Sequence, residues 1–243
     1  MDNITLISCS YNTPDVTLTM LRSFFKYHTE TEVLIIDNST NNDTAKLLQT
    51  NNVSYIRNEG GLHIQSIDIL FSSIKTKYAL LVDTDVIFYK DHTSIFNKFK
   101  EMGLTLMGEI CGDRGGKLIH NRVHPWHCFI DVENIKQNKI RFYNPDKQFS
   151  KSNKIYDVGC TFFEDIKNCN LKIGDIRLEG SYYKHYEGMS WRTKRFGTED
   201  GDIDHNSKAV HNNIHLYQYG LLVEEQYKKE IELYKNITIK CKK

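Results

Sequence analysis

Two aspartates, Asp83 and Asp85, interrupt a run of strand-forming residues, YALLVDTDVIF, at positions 78–88. On an extended backbone, residues two positions apart point to the same side, so both carboxylates can converge on one point at a strand end. Two carboxylates that close repel each other unless a cation lies between them, and oxygen ligands favour Mg²⁺ or Mn²⁺. The pattern indicates a divalent-cation site, for which a nucleoside diphosphate is the simplest ligand. The alternative is a strand end with an aspartate that caps the next segment.

The first hundred residues contain the elements that must position these carboxylates. Apolar runs predict strands at residues 4–9, 33–36, 53–57 and 78–82, and helical spacing predicts helices that begin near Thr13-Pro14, near Thr44 and before Ile67. We expect Thr13 to cap the first of these helices. This alternation predicts a mainly parallel α/β sheet, and such sheets bind ligands beyond the carboxyl ends of their strands. Polar clusters follow all four strands, at residues 10–12, 37–38, 58–61 and 83–85.

The pattern loosens after about residue 100. The sequence predicts strands at 104–110 and 127–130, a short helix at 132–136 capped by Asp131, and another helix at 157–170 opened by Asp157. An apolar stripe at 223–234 predicts a C-terminal helix that packs back on the body of the protein.

Composition excludes several classes of protein. The chain has 243 residues, a net charge of +1 and 40% hydrophobic residues, which suits a globular protein and gives no basic surface for nucleic acid. No apolar run approaches the roughly twenty residues of a transmembrane helix, and no signal peptide is visible. The six cysteines are scattered without zinc-site spacing, so we expect a reduced, cytoplasmic location. The basic end (Lys240, Lys242, Lys243) allows peripheral membrane contact without establishing it.

Six motifs occur in an ordered series: TLISCSYN, VLIIDNST, NEGG, LLVDTDVIF, YDVGCTFFEDI and YYKHYEGMSW. Together they resemble the GT-A fold glycosyltransferases of the family 2 type, over about residues 4–192. The resemblance implies a Rossmann-like, mainly parallel sheet flanked by helices, with a smaller acceptor-side lobe. The resemblance also predicts one continuous domain with three parts: a nucleotide-sugar-binding half (1–100), an acceptor-binding and catalytic half (101–195) and a tail with a packing helix (196–243).

The implied activity is metal-dependent, inverting transfer of a sugar from a nucleotide diphosphate, with a UDP-sugar preferred as donor. The acceptor would be a hydroxyl of a glycan, such as a surface polysaccharide, of a lipid-linked glycan, of a free sugar or of a protein. Two alternatives stay open. A degenerate transferase domain would bind the nucleotide-sugar without turnover. A sugar nucleotidyltransferase would need a glycine-rich basic loop after the first strand, where this chain has SYNTPD.

The donor-side residues follow from the resemblance and from their own chemistry. Tyr11 could stack on the nucleobase or be a turn tyrosine, and Asp37 could accept the imide N–H of uracil or cap the next helix. Asn58 and the glycine pair that ends at Gly61 suit close approach of the backbone to ribose or phosphate. Arg192, followed by Lys194 and Arg195, could close over the phosphates or form a solvated basic segment.

The metal ligands implied by the resemblance are Asp83, which could also reach the ribose, Asp85 and the distant His185, holding Mn²⁺ or Mg²⁺. Asp157 is the candidate base that deprotonates the acceptor hydroxyl. The family usually has an acidic pair there and this chain has Tyr156-Asp157, so a helix cap is the competing interpretation. The reserve candidates for the base are Asp131, Glu164 and Asp165.

The segment His124-Pro125-Trp126-His127 is a further candidate. Trp126 could be a platform for a sugar ring or a core residue, and the two histidines could bind sugar hydroxyls. Their HxxH spacing suggests zinc, but no nearby cysteine or carboxylate completes a tetrahedral set.

Overall fold

The computed structural model describes residues 1–112, 118–119, 121–147, 155–186 and 225–240. The strands in chain order are β1 (Ile4–Ser10), β2 (Glu32–Asp37), β3 (Ser54–Arg57), β4 (Tyr78–Val82), β5 (Val86–Phe88), β6 (Leu106–Gly108), β7 (Ile110–Cys111), β8 (Leu118–Ile119), β9 (Arg122–Val123), β10 (His127–Asp131), β11 (Ile155–Tyr156), β12 (Ile173–Asp175) and β13 (Tyr183–His185). The helices are α1 (Pro14–Phe25), α2 (Asp43–Thr50), α3 (His63–Ser73), α4 (Thr93–Glu101), α5 (Val132–Gln137), α6 (Cys160–Asn168) and α7 (225–234), and a 3₁₀ turn covers Pro145–Lys147.

A seven-stranded sheet in the order β3-β2-β1-β4-β10-β6-β12 forms the centre of the protein. Strands β1 to β4 run parallel, and β10 is antiparallel to both of its neighbours. The register aligns Ser10 with Asp37 and Asp37 with Arg57. The predicted mainly parallel sheet is therefore confirmed, and its parallel strands end at one common edge.

Helices cover both faces of the sheet, as alternating side chains require. Leu80 and Val82 of β4 face a core built with residues of α1, α2 and α4. Ala79 and Leu81 face the opposite core, which contains residues of α3, α5 and α6. Strands from both halves of the chain share this sheet, so the two halves build one core.

The predicted C-terminal helix is confirmed where the structure describes it. Tyr227 and Tyr234 of α7 are buried, and their hydroxyls donate to the carbonyls of Val16 (3.4 Å) and Phe88 (3.1 Å). Val223, the first residue of the predicted stripe, lies outside the described residues.

The predicted Asp131 cap is confirmed, because its Oδ1 accepts from the amide of Asn134 at 3.0 Å. Three other local predictions need correction. Helix α6 begins at Cys160 instead of Asp157, because Gly159 precedes it with a left-handed φ of 82°. Thr13 occupies the N-cap of α1 without a capping side-chain hydrogen bond. The strand predicted at 104–110 is divided into β6 and β7.

Among the described residues, no helix has both the length and the apolar character that crossing a membrane would require.

Candidate active site

The turn between β4 and β5 carries the two aspartates. The amide of Asp83 donates to the carbonyl of Trp126 (3.1 Å), and the amide of Val86 donates back to the carbonyl of Asp83 (3.3 Å). The Asp85 side chain is buried at 3% exposure, whereas that of Asp83 is 30% exposed. The turn therefore holds one carboxylate inside the protein and offers the other to the open edge of the sheet.

His185 reaches these carboxylates through a short antiparallel ribbon. Strand β13 pairs with β5, with His185 opposite Val86, and the next amide, of Tyr186, donates to the carbonyl of Asp85 (2.9 Å). The Nε2 atom of His185 lies 3.2 Å from Asp85 Oδ1 and 3.8 Å from Asp83 Oδ2. The structure thus brings the three predicted metal ligands together, although their role as ligands stays a prediction.

The electrostatics of this group fit a cation. One ligand atom from each of the three side chains lies within 4.8 Å of the others, and two carboxylates with an imidazole suit Mn²⁺. Burial raises the pKa of Asp83, His63 opposes this rise, and Asp85 adds to it. Burial lowers the pKa of His185, but Asp85 and Asp83 outweigh this effect and raise it to about 9. A divalent cation would replace that proton between the carboxylates.

An aromatic stack supports the His185 ring. Trp126 lies parallel to His185 at a centroid distance of 4.7 Å, and His124 stacks on Trp126 at 3.8 Å. The partly exposed Trp126 therefore lies beside Asp83, Asp85 and His185, the three predicted metal ligands (the ligand group). This position is compatible with the predicted sugar platform. His127 instead lies in the core and stacks on Tyr183 at 4.0 Å.

The loop after β1 presents Tyr11 at the carboxyl edge of the sheet. Asn12 adopts a left-handed φ of 50°. Its amide donates to Ser39 Oγ (2.8 Å), and its Oδ1 accepts from the amide of Thr40 (3.0 Å). These bonds join the loops after β1 and β2 and leave the Tyr11 side chain exposed at 38%. An exposed ring on a fixed loop is compatible with the predicted stacking on a nucleobase.

Asp37 is fully buried at the end of β2. Its Oδ2 accepts from Arg57 (2.7 Å) and its Oδ1 from the amide of Ser39 (3.0 Å). The N-cap of α2 is Asn42, so Asp37 does not cap that helix. Sequence reasoning missed Arg57, which the parallel register places opposite Asp37.

Asn58 and Gly61 shape the turn before α3. The Asn58 side chain donates to Asn38 Oδ1 (3.0 Å) and to Ser66 Oγ (3.1 Å). A Cβ atom on Gly61 would lie 1.9 Å from Asn58 Nδ2, so only glycine fits there. Both residues thus have a structural role at this edge, and their contact with the donor stays a prediction. Arg192, Lys194 and Arg195 lie outside the described residues.

Asp157 forms an ion pair with Arg122, a residue that sequence reasoning missed. The distance from Arg122 NH1 to Asp157 Oδ2 is 2.6 Å, and the same nitrogen donates to the carbonyl of Val158 (2.5 Å). Arg122 is buried, and it weakly opposes the rise that burial causes in the pKa of Asp83, so one cation lies near both acidic groups. No local motif in the sequence marks this pairing.

Asp157 also lines a cavity of about 220 Å³; the residues around it are Ile64, Phe142, Tyr143, Asn144, Lys147, Tyr156, Asp157, Val158, Gly159 and Thr161. The reserve candidates for the base have structural partners. Glu164 accepts from the Tyr156 hydroxyl at 3.2 Å, Asp165 pairs with Lys147, and Asp131 caps α5. Asp157 has a partner of its own in Arg122, but of these four candidates only Asp157 lines the cavity.

The sequence profile of Glycosyl transferase family 2 matches residues 5–163, well over half of the chain. The chain belongs to glycosyl transferase family 2. The matched range covers β1 to α6 without the last residues of that helix, and it includes Asp83, Asp85 and Asp157. His185 lies beyond it.

Solved structures resemble this family 2 chain in fold. Residues 1–349 of TarS from S. aureus align with 84% of the chain and 68% of that protein, at 17% identity and a TM-score of 0.53. GlyE from Streptococcus pneumoniae TIGR4 aligns with 93% of the chain and 64% of GlyE, at 9% identity and a TM-score of 0.56. The mannosyltransferase PcManGT from Pyrobaculum calidifontis, in complex with GDP-Man and Mn²⁺, aligns with 72% of the chain and 54% of PcManGT, at 11% identity and a TM-score of 0.54.

At these identities the similarity shows the shared GT-A fold, and the chain spans only part of the length of each protein. No curated protein sequence gives a significant match to it.

Proposed function

We propose that this family 2 protein is a metal-dependent transferase that moves a sugar, most simply a hexose, from a nucleotide diphosphate to a hydroxyl of a glycan or lipid-linked glycan. The observation that carries the proposal is the convergence of Asp83, Asp85 and His185 at the carboxyl edge of a parallel sheet. Ligands of open α/β sheets bind at that edge. The cation is Mn²⁺ or Mg²⁺, and the imidazole favours Mn²⁺.

A divalent cation bound by these residues supplies Lewis-acid stabilisation of the diphosphate leaving group. Two structures with the same fold support the ligand class, because one contains UDP and the other contains GDP-Man with Mn²⁺. Of the two aspartates, Asp85 has the more buried carboxylate, so it would fix the cation in the site. The more exposed Asp83 faces the donor.

The nucleoside would bind between the loops after β1 and β2, with a UDP-sugar preferred. Tyr11 would stack on the base through its exposed ring. Asp37 would accept the imide N–H of uracil through a lone pair that Arg57 and Ser39 leave unused, since a carboxylate offers about four acceptor positions. The N-terminus of α3, which follows Gly61, would favour the negative phosphates.

The acceptor would enter the cavity beside Asp157 and lose its hydroxyl proton to that carboxylate. Arg122 holds the carboxylate in one orientation through its contacts to Asp157 and Val158. Inversion follows if this base and the leaving group lie on opposite faces of the donor sugar. In this arrangement residues 1–100 bind the donor and residues 101–195 bind the acceptor.

Thermal melting with UDP, GDP, dTDP, CDP and ADP, each with and without Mn²⁺, tests the donor site. Ligand binding to the folded state raises the melting temperature by mass action. We expect a Mn²⁺-dependent rise, largest for UDP. Equal melting temperatures with and without Mn²⁺ for all five nucleotides would contradict the proposed site.

Turnover separates the enzyme from a binding scaffold. We expect Asp157→Asn to keep the Mn²⁺-dependent rise with UDP and to lose release of UDP from UDP-sugars, because the amide cannot accept the acceptor proton. Asp165→Asn is the matched control, since Asp165 is an acid in α6 paired with Lys147, and it should retain turnover. A wild-type protein that binds UDP without any turnover would favour the scaffold.

A further inference from the structure

The ribbon that carries His185 is short. Three residue pairs join β13 to β5, from Tyr183 opposite Phe88 to His185 opposite Val86, and backbone hydrogen bonds from Tyr186 to Asp85 and from Tyr89 to Tyr182 flank them. Isolated two-stranded ribbons are marginal in water even when longer. Packing from another element therefore adds to these contacts in fixing the position of His185 relative to Asp85.

Helix α7 is that element, and Glu230 is its contact with both strands. The Oε1 atom of Glu230 accepts a hydrogen bond from the hydroxyl of Tyr89, the residue after β5, at 2.9 Å. The same oxygen accepts from the hydroxyl of Tyr186, the residue after β13, also at 2.9 Å. The two hydroxyls lie 3.5 Å apart. One carboxylate thus joins the ends of both strands.

The direction of the side chains connects this contact to the metal ligands. Successive residues of an extended strand point to opposite sides, so His185 faces the carboxylates while Tyr186 faces α7. Tyr186 and Ile87 lie in a separate apolar cluster with residues of α7. The ring of Tyr227 packs against Tyr186 edge to face at 5.1 Å. A shift of β13 along β5 would move Tyr186 and His185 together.

The bonds to Glu230 are charge-assisted and partly buried. Each phenol donates through its O–H group, and a bond to a charged acceptor is stronger than one between neutral groups.

We propose that Glu230 is a positioning residue for the metal ligands, because it fixes the register of β13 and with it the place of His185. The proposal rests on the proposed metal-dependent donor site. It assigns the C-terminal helix a part in metal binding that neither the family match over residues 5–163 nor the ligand set indicates.

The test measures Mn²⁺ affinity by titration of the electron paramagnetic resonance signal of free Mn²⁺. We expect Glu230→Ala to weaken binding about tenfold, the lower end of the loss seen when partners of metal ligands are removed. Glu232→Ala is the control on the same helix, because Glu232 is exposed and pairs with Lys235. It should bind Mn²⁺ as the wild-type protein does.

A double-mutant cycle separates positioning from general destabilisation. In a His185→Ala background, Glu230→Ala should cause no further loss of Mn²⁺ affinity, since its effect passes through the missing imidazole. An equal tenfold loss in both backgrounds would overturn the proposal. If Glu230→Ala does not fold, the Tyr89→Phe, Tyr186→Phe double variant removes both hydroxyls and keeps the rings. Unchanged Mn²⁺ affinity in a folded double variant would also overturn it.

These outcomes differ from failure of the proposed function. If the wild-type protein binds no Mn²⁺, or if Asp85→Ala leaves its affinity unchanged, the metal site itself is wrong. If those two controls behave as expected and Glu230→Ala binds normally, only the role of Glu230 is wrong.

Discussion

The pKa of His185 and the pKa values of His28, His92 and His127 shift in opposite directions, although all four side chains are buried. The pKa of His185 rises to about 9, because two carboxylates overcome its burial. Burial lowers the pKa of His28 and His92 to about 4 and brings that of His127 well below the ordinary value. Burial acts in the same direction at all four positions. The two carboxylates beside His185 outweigh it, whereas the exposed Asp91 beside His28 offsets it only in part.

The buried group is packed among rings. His28 and His92 lie 5.6 Å apart between centroids, and His92 and His127 lie 5.1 Å apart. The amide of His92 donates to His28 Nε2 at 3.2 Å, which requires that nitrogen to be unprotonated. Strand β13 serves both groups, because Tyr183 stacks on His127 while His185, two residues later on the same side, meets the carboxylates.

Asp85→Ala would remove the main carboxylate that distinguishes His185 from the buried histidines, and it should have the largest effect. It removes the most buried carboxylate of the ligand group, so we expect complete loss of Mn²⁺-dependent nucleotide binding. Isothermal titration with UDP and Mn²⁺ measures this loss. The control is Asp91→Ala, which removes the exposed carboxylate 3.6 Å from His28 and should leave binding intact. Normal binding by Asp85→Ala would show that the cation lies elsewhere.

The buried histidines should make the stability of the protein depend on pH. An unfolded histidine takes up its proton near pH 6.5, whereas folded His28 and His92 take it up only near pH 4. The unfolded state therefore binds more protons between these values. Stability from these groups is complete above pH 6.5 and is lost as the pH falls towards 4.

One pKa unit corresponds to about 1.4 kcal/mol, so the shift of each histidine from about 6.5 to about 4 corresponds to about 3 kcal/mol, and the free energy of unfolding should fall by about 3–7 kcal/mol over this range. Urea unfolding at several pH values measures the slope. His92→Gln, which removes one of the titrating groups, should have a shallower slope than the wild-type protein. Identical slopes would mean that the buried histidines do not control acid stability.

Trp126→Leu tests whether the stacked ring also contributes to the position of His185, and it should have the smallest effect. The stack on His185 holds the imidazole in plane, and aromatic pairs contribute about 0.5–1.5 kcal/mol. We expect Mn²⁺ affinity to fall about three- to tenfold, as measured by paramagnetic resonance titration. Trp126→Phe keeps a ring and should retain most of the affinity. Equal loss in both variants would assign the effect to packing elsewhere.

Local signals were enough to predict the parallel strands of the first hundred residues. Strand β4 begins and ends where the sequence predicted, and β1, β2 and β3 differ from prediction by one residue at one end or at both. The missed start of α6 has a local cause, because the left-handed Gly159 ends the preceding turn. Sequence alone did not distinguish that glycine from a residue within the helix.

Site residues that lie in a sequence motif could be predicted, whereas residue pairs that only the folded sheet brings together could not. The Asp83 and Asp85 pair follows from strand geometry, and their meeting with His185 followed from the family resemblance. The pairs of Arg57 with Asp37 and of Arg122 with Asp157 join residues on separate strands or loops. Such contacts depend on sheet register, which spacing along the chain does not encode.

The position of His185 about a hundred residues after Asp83 has a consequence for biosynthesis. A chain emerging from the ribosome folds from its N-terminal end, and β1 to β4 can form while His185 is still being added. Closing such a long loop has an entropic cost that only later contacts offset. At the proposed metal site, the nascent protein would therefore present two carboxylates without His185. With the proposed role of Glu230, full metal affinity would appear only after α7 has left the ribosome.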